Sequence, residues 1–423
     1  MLYNIIVLFL LFFCFPVPGI GNSVWIALAM AFCKITYQER WMLLYRNFCS
    51  IYVVAVFSAV FLLILYSFLI TIATSAYDFS RTMTLVSLMV GLFLTVIVYT
   101  SLSNDAEDST AMGKLIVGVF LLQAFISIFA FGFPVVREVV SLFQFKDDAE
   151  LAEKSYSGFR GLAISGRLYF EFAATCGLVV IIQMKRILGE DKVSYYRLFE
   201  FFLLIICGFF AGRTSLVGLV FAFVFLLIYR QSYKVKMRFV YRLLLCLVFI
   251  ILFCIILLPG ELLDFINRVV LPWVFDVFIK LYETGNTQDS HSFNTLNEMY
   301  ETVQISLQEW FVGSGKYSNV DGSYYKHVDA GYLRQVLYWG IIGSVINFFC
   351  SFQFFSRPWR VCRENKNEKC FLLIVFFYTL LLQYKGDLMG ISRFYHTILF
   401  MYLLSLIKLK KEYGVCKLQE MCD

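Results

Sequence analysis

Apolar residues in this chain gather into runs of about twenty, separated by short polar segments. The runs cover 2–17, 20–36, 48–77, 82–101, 113–134, 166–184, 196–211, 213–229, 241–258, 331–355, 370–384 and 392–408. A helix that crosses a bilayer needs about 20 apolar residues, so each of the twelve runs predicts a transmembrane helix. Run 48–77 is long enough to tilt or to project past the bilayer. Pro16-Val17-Pro18-Gly19 divides the first two runs, because proline cannot continue a helix. No small-residue cleavage site follows the first run, so residues 1–18 are expected to remain as the first span. No internal repeat or low-complexity tract interrupts the pattern. The expectation is an all-α polytopic integral membrane protein of about twelve transmembrane helices, forming a single transmembrane domain over 1–423.

Two polar intervals exceed a turn: 135–165, and 259–330 before the tenth run. Lys and Arg positions orient the chain. With both termini inside, the inside segments hold 22 of the 36 Lys and Arg residues, and both long intervals fall outside. Purely structural connections are short, so these two loops are where binding or chemistry is expected. From Asn294 to Phe311, Leu296, Met299, Tyr300, Val303, Leu307 and Trp310 recur at helical spacing. This predicts an amphipathic helix that lies on the membrane or caps a cavity.

Composition narrows the function classes. Hydrophobic residues make up 60% of the chain and charged residues 16%, against about 45–50% and about 25% in soluble domains. A soluble enzyme is excluded. The net charge of +6 sits in juxtamembrane clusters and reads as topology, so no nucleic acid partner is expected. None of the 12 cysteines lies in 135–165 or 260–330, and no C-x-x-C occurs, so neither a disulfide framework nor a zinc site is expected. The chain has no Walker A loop, no G-x-S-x-G and no H-E-x-x-H. Asp147-Asp148 reads as a solvated charge run.

The cations of the outer side carry the first candidate chemistry. Arg160 and Arg167 flank the start of the sixth span. Arg213 sits in Ala211-Gly212-Arg213-Thr214-Ser215, a turn so tight that two spans nearly touch. Lys385 and Arg393 bracket the last outside turn, and Arg334 is three residues into the tenth span. A cation near hydrocarbon costs on the order of a few kcal/mol unless it is paired or serves a site. Several around one wet cavity would suit a multiply charged anion such as a lipid pyrophosphate. Snorkelling or local pairing is the alternative, and for Arg167 the partner would be Glu171, four residues on. Arg197 and Glu200 read as such a local pair.

A second constellation runs through Gly313-Ser314-Gly315-Lys316-Tyr317, His327-Val328-Asp329-Ala330-Gly331-Tyr332-Leu333 and Gly340-Ile341-Ile342-Gly343. Its glycines allow close backbone approach. Asp329 falls at the membrane edge, where a partly desolvated carboxylate could take a proton from a sugar hydroxyl. The alternative is a helix N-cap. His327 is the other candidate base, or else a solvated loop residue. His291, His327 and His396 all fall on or near the outer side, but no pair has metal-ligand spacing, so no metal is expected.

The array Gly313-x-Gly315, Asp329-Ala330-Gly331-Tyr332-Leu333 and Gly340-Ile341-Ile342-Gly343 resembles the late segment of the Wzy-type O-antigen polymerases. The related O-antigen ligases usually carry His-Asn where this chain has Asp329-Ala330. Gly212-Arg213-Thr214-Ser215 resembles the family's Ser-Arg-Thr motif, with Gly212 in place of Ser. Phe159-Arg160-Gly161-Leu162 resembles its Arg-containing segment in the first outside loop. In this group the amphipathic helix often opens with an Arg; Ser292-Phe293-Asn294-Thr295 has none.

The resemblance implies a GT-C-like polytopic fold in the bacterial cell inner membrane, with cytoplasmic termini and a periplasmic active site. It implies a glycosyltransferase that polymerises repeat units linked to undecaprenyl pyrophosphate, without cofactor or metal. Arg160 and Arg213 would neutralise the leaving pyrophosphate, helped by Arg167, Lys385 or Arg393. Asp329 or His327 would deprotonate the acceptor. Arg334, Tyr332 and His291 would contact substrate, and loop 259–330 would close over the glycan. Partners would be the lipid-linked donor and acceptor, membrane lipid and a chain-length regulator. Ligase, lipid-linked-oligosaccharide flippase and membrane O-acetyltransferase are the rival readings. The long one-sided loop argues against a flippase, and the absence of a histidine deep in a span argues against an acetyltransferase.

Overall fold

The structure, a computed structural model, describes the chain apart from 103–107, 146–159, 191–192, 258–259, 285–290, 320 and 420–423. The side chains of 291–293, of 408–419 and of scattered residues within 251–284 also lie outside the described set. Much of loop 135–165, Asp147-Asp148 included, is therefore not described.

The chain is built almost wholly of helices. The first part holds α1 (Leu2–Phe13), α2 (Ser23–Tyr37), α3 (Trp41–Phe48), α4 (Ile51–Ala73), α5 (Ser80–Leu102), α6 (Ser109–Gly132) and α7 (Pro134–Ser141). The middle holds α8 (Phe170–Leu188), α9 (Tyr195–Ala211), α10 (Ser215–Ile228), α11 (Tyr233–Leu257), α12 (Gly260–Phe265) and α13 (Leu271–Thr284). The last part holds α14 (His291–Thr302), α15 (Leu307–Phe311), α16 (Gly331–Val361), α17 (Lys366–Lys385) and α18 (Arg393–Gln419). Each of the twelve apolar runs carries a helix. Among the described residues, four helices are long and apolar enough to cross a membrane: α4, α5, α6 and α16. The protein is an all-α membrane protein.

Three local expectations change. The first run does not stay helical to residue 17. α1 stops at Phe13, Cys14 takes a left-handed φ of 45°, and Pro16–Val17 pairs with Gly21–Asn22 in a small hairpin. Two prolines in three residues leave no helical alternative. The long loop 259–330 carries α12, a π-helical turn (Ile266–Val270) and α13, none of which periodicity suggested. The amphipathic segment 294–311 is two helices rather than one. Ser306 starts the second with a capping box: its Oγ accepts from the Glu309 amide at 3.2 Å, and the Glu309 carboxylate accepts from the Ser306 amide at 2.9 Å.

The apolar face of α14 packs on protein. Leu296, Met299 and Tyr300, with Val303 and Ile305, cover buried Val328, Ala330, Leu333 and Leu337 at the start of α16. Each fully buried Leu or Val in that seam contributes about 1.5–3 kcal/mol relative to water. Tyr300 also stacks on Tyr384 at the end of α17, with ring centroids 4.6 Å apart.

α16 is broken at Gly340, whose φ of 67° and ψ of −175° suit glycine alone. The break frees carbonyls that an unbroken helix would use. The Ser314 amide and hydroxyl donate to Leu337 O at 2.7 and 2.8 Å, the Gly315 amide to Tyr338 O at 3.1 Å, and the Tyr66 hydroxyl to Trp339 O at 3.3 Å. Asp78, just after α4, accepts the Tyr317 and Ser318 amides at 2.7 Å each. Loop 313–318 is thus pinned by its backbone between α4 and α16.

Elsewhere small residues set helix spacing, as expected where apolar surface alone gives no preference among partners. α8 and α10 cross at Gly177 and Gly218 with backbone against backbone. That crossing holds the α9–α10 turn beside the segment leading into α8.

Candidate active site

The α9–α10 turn carries Gly212, Arg213 and Thr214. Arg160 reaches its edge: Nη2 and Nε donate to Ala211 O, at the end of α9, at 3.0 and 3.3 Å. Carbonyls at a helix C-terminus lack intrahelical partners and attract cations. The Arg160 guanidinium also stands 5.5 Å from the Tyr169 ring centroid. A Cβ at Gly212 would lie 3.0 Å from Arg160 Nη2, so the guanidinium packs closely over the turn.

Arg213 Nη1 pairs with Asp276 of α13 at 3.1 Å. Lys385, at the end of α17, donates to Thr214 Oγ1 at 3.0 Å. Solvent reaches Lys385, yet protein atoms crowd its ammonium. That crowding first, then the like charges of Arg213 and Arg160, lower its pKa to about 8, against the pull of Asp329. Arg160, Arg213, Lys385 and Asp329 therefore share one electrostatic neighbourhood.

Asp329 does not cap α16. The N-cap position is Ala330, and no side chain bonds there. The Asp329 carboxyl is 62% exposed, with Arg334 Nη1 4.0 Å away. Crowding by protein raises its pKa, opposed by Arg334 and Lys385. Water reaches both Asp329 and Lys385, so both shifts are partly screened. Arg334 itself is buried, with its guanidinium 3.6 Å from the Tyr324 ring centroid and 4.2 Å from that of Tyr317.

The other expected site residues lie elsewhere. His327 is exposed with a positive φ of 55°, and its Nδ1 is 3.4 Å from Ser323 Oγ. Its charge interacts with the nearby Asp321 carboxylate. The Tyr332 hydroxyl donates to Leu380 O of α17 at 2.8 Å, which makes it a clamp between helices. The His291 backbone opens α14, and its side chain is outside the described residues. Arg167 and Arg393 line a separate cavity of about 470 Å³. Arg167 lies 3.9 Å from Glu171, the local pair that its spacing suggested. His396 is buried, and its Nε2 accepts the Gly390 amide at 3.3 Å.

Three acidic residues matter here that the sequence pattern did not single out. Asp276 holds Arg213, Asp78 pins loop 313–318, and Asp387 forms a buried ion pair with Arg81. Arg81 also packs on the Trp339 and Tyr317 rings, with centroids at 4.3 and 5.1 Å. Only the Pro272 start and apolar spacing of 271–284 could have flagged the helix that carries Asp276. The chain matches no protein-family model, and no curated protein matches it.

Proposed function

We propose that this protein joins lipid-linked oligosaccharide repeat units into a surface polysaccharide on the outer face of a bacterial inner membrane, as the Wzy-type resemblance implies. The reading includes twelve spans, a GT-C-like arrangement and cytoplasmic termini. One observation carries it: Asp329, free of any capping duty, shares a neighbourhood with Lys385, Arg160 and Arg213.

In this reaction the Asp329 carboxylate takes the proton of an acceptor sugar hydroxyl. The hydroxyl oxygen bonds to the anomeric carbon of the growing glycan, whose bond to pyrophosphate breaks with inversion. Arg160, Arg213 and Lys385 take up the negative charge that develops on the departing pyrophosphate. Asp329 acts on Lys385, whereas the His327 ring contacts Ser323, and this favours Asp329 over His327 as base.

The test is a gel of the surface polysaccharide from cells lacking the gene. A ladder cut to a single repeat unit supports polymerase. Loss of every repeat unit would assign the protein to flipping or ligation instead. Arg213→Ala and Asp329→Asn are each expected to give the single-unit pattern with normal membrane insertion, and wild-type chain lengths in both would overturn the site.

A further inference from the structure

The outer-side cations fall into two sets. Arg160, Arg213 and Lys385 surround the α9–α10 turn, while Arg167 and Arg393 line their own cavity. We propose that this second cavity is a separate oxyanion site that takes a phosphoryl group, carried on a lipid chain or free.

Four features of the cavity point to that chemistry. Its volume, about 470 Å³, suits a headgroup with the first part of a chain. Arg393 lies flat across Gly91 of α5, where a Cβ would stand 2.8 Å from its Cγ, so its position is set by shape. Among the described residues, its guanidinium makes one hydrogen bond, a long one of 3.5 Å to Ser87 Oγ, and pairs with no carboxylate. Thr397, 3% exposed and also lining the cavity, has a hydroxyl with no hydrogen-bond partner among the described residues.

Among the described residues, Glu171 is the one carboxylate in the lining. It accepts the Ser392 hydroxyl at 2.6 Å and faces Arg167 at 3.9 Å. Two arginines against one glutamate leave a net positive charge. Phe12, Phe13 and Phe394 form an apolar wall beside it. An under-partnered guanidinium against a low-dielectric wall binds a phosphoryl oxyanion through charge-assisted, bidentate hydrogen bonds. Under the polymerase reading, on which this assignment to a substrate rests, two pyrophosphate-bearing lipids meet, and this cavity would take the one that the Arg213 cluster does not.

Farnesyl pyrophosphate bound to the purified protein in uncharged detergent, counted by native mass spectrometry, tests the proposal. Arg393→Gln is expected to hold one molecule fewer than wild type, with at least a ten-fold weaker apparent affinity at that site. Arg393→Lys, which keeps the charge but loses the bidentate fork, is expected to recover the lost molecule only in part, and an unfolding temperature of Arg393→Gln equal to that of wild type separates lost binding from misfolding. Thr397→Val is expected to weaken the same site. Competition by inorganic pyrophosphate would assign the site to the free anion, and displacement only by lipid-linked phosphates would assign it to a headgroup. Unchanged stoichiometry and affinity in Arg393→Gln and Thr397→Val would overturn it. If Arg213→Gln keeps every bound molecule while Arg393→Gln loses one, this site stands and the proposed role of Arg213 falls.

Discussion

Gly313 lies against Gly340 so closely that a Cβ on Gly313 would stand 2.6 Å from the Gly340 amide nitrogen. The loop and the broken helix meet backbone to backbone, and the carbonyls released at the break are the ones that Ser314 and Gly315 bind. This docking holds 313–318 in place, and with it the tyrosine that Arg81 and Arg334 pack against.

Gly340→Ala should therefore destabilise the protein by about 3 kcal/mol, the upper end of a strained-backbone cost, because overlap with Phe311 adds to the strain. Thermal unfolding in detergent measures it. Gly132→Ala, at a site with nothing within 4 Å, is the control and should unfold as wild type does. Equal losses in the two variants would show that docking at Gly340 is not the cause.

The polymerase reading fixes the shape of a pH profile. The Asp329 carboxyl must be ionised to act as base, and its pKa is raised, so kcat/KM should fall on the acid side sooner than for an ordinary carboxylate. Lys385 is charged below its pKa of about 8 and loses that charge as pH rises through it. The alkaline limb should therefore fall near pH 8. Lys385→Arg, which stays charged, should flatten that limb and leave the acid limb in place. An alkaline limb unmoved by this change would remove Lys385 from pyrophosphate binding.

Arg81 and Asp387 form a buried pair, and Asp387 also accepts from Gln383 at 3.1 Å and Gln335 at 3.3 Å. Removing one partner strands a buried charge, at a cost of about 3–5 kcal/mol. Arg81→Met and Asp387→Leu should each lower the unfolding temperature sharply. The double variant should lose less than the two single losses added together. Additive losses would mean that the two side chains act independently.

Burial alone would raise the Asp78 pKa, but hydrogen bonds from Ser80, Ser318 and Tyr317 outweigh it and lower the value. The clamp on loop 313–318 is thus fully present above the ordinary carboxylate pKa and is released as pH falls through the depressed one. Amide exchange at Tyr317 and Ser318 should stay slow at mildly acidic pH. In Asp78→Ala it should speed up at every pH, and wild-type protection in that variant would show that the clamp is not needed.

Hydrophobic periodicity alone placed a helix in each of the twelve runs, because about twenty apolar residues in a row must hydrogen-bond their own backbone. The same reasoning picked out Leu296, Met299, Tyr300 and Val303 as one face, and that face is packed. The break after Thr302 was also legible, since Ser306 and Glu309 have capping-box spacing, but the continuing apolar pattern hid it. Pro16 and Pro18 signalled a turn, though not that α1 would end at Phe13.

What the sequence by itself determined is the class: helices long and apolar enough for a membrane, a large interrupted loop before α16, and cations near glycine-rich segments. These are properties of local composition and spacing. Only the tertiary structure decided which charges meet. Lys385 lies 171 residues from Thr214, and Asp387 lies 306 from Arg81. It also parted Arg167 and Arg393 from Arg160 and Arg213, residues that look equivalent along the chain. Partner choice depends on how helices cross, and crossings such as Gly177 on Gly218 arise from shape between segments distant in sequence, which no local pattern records.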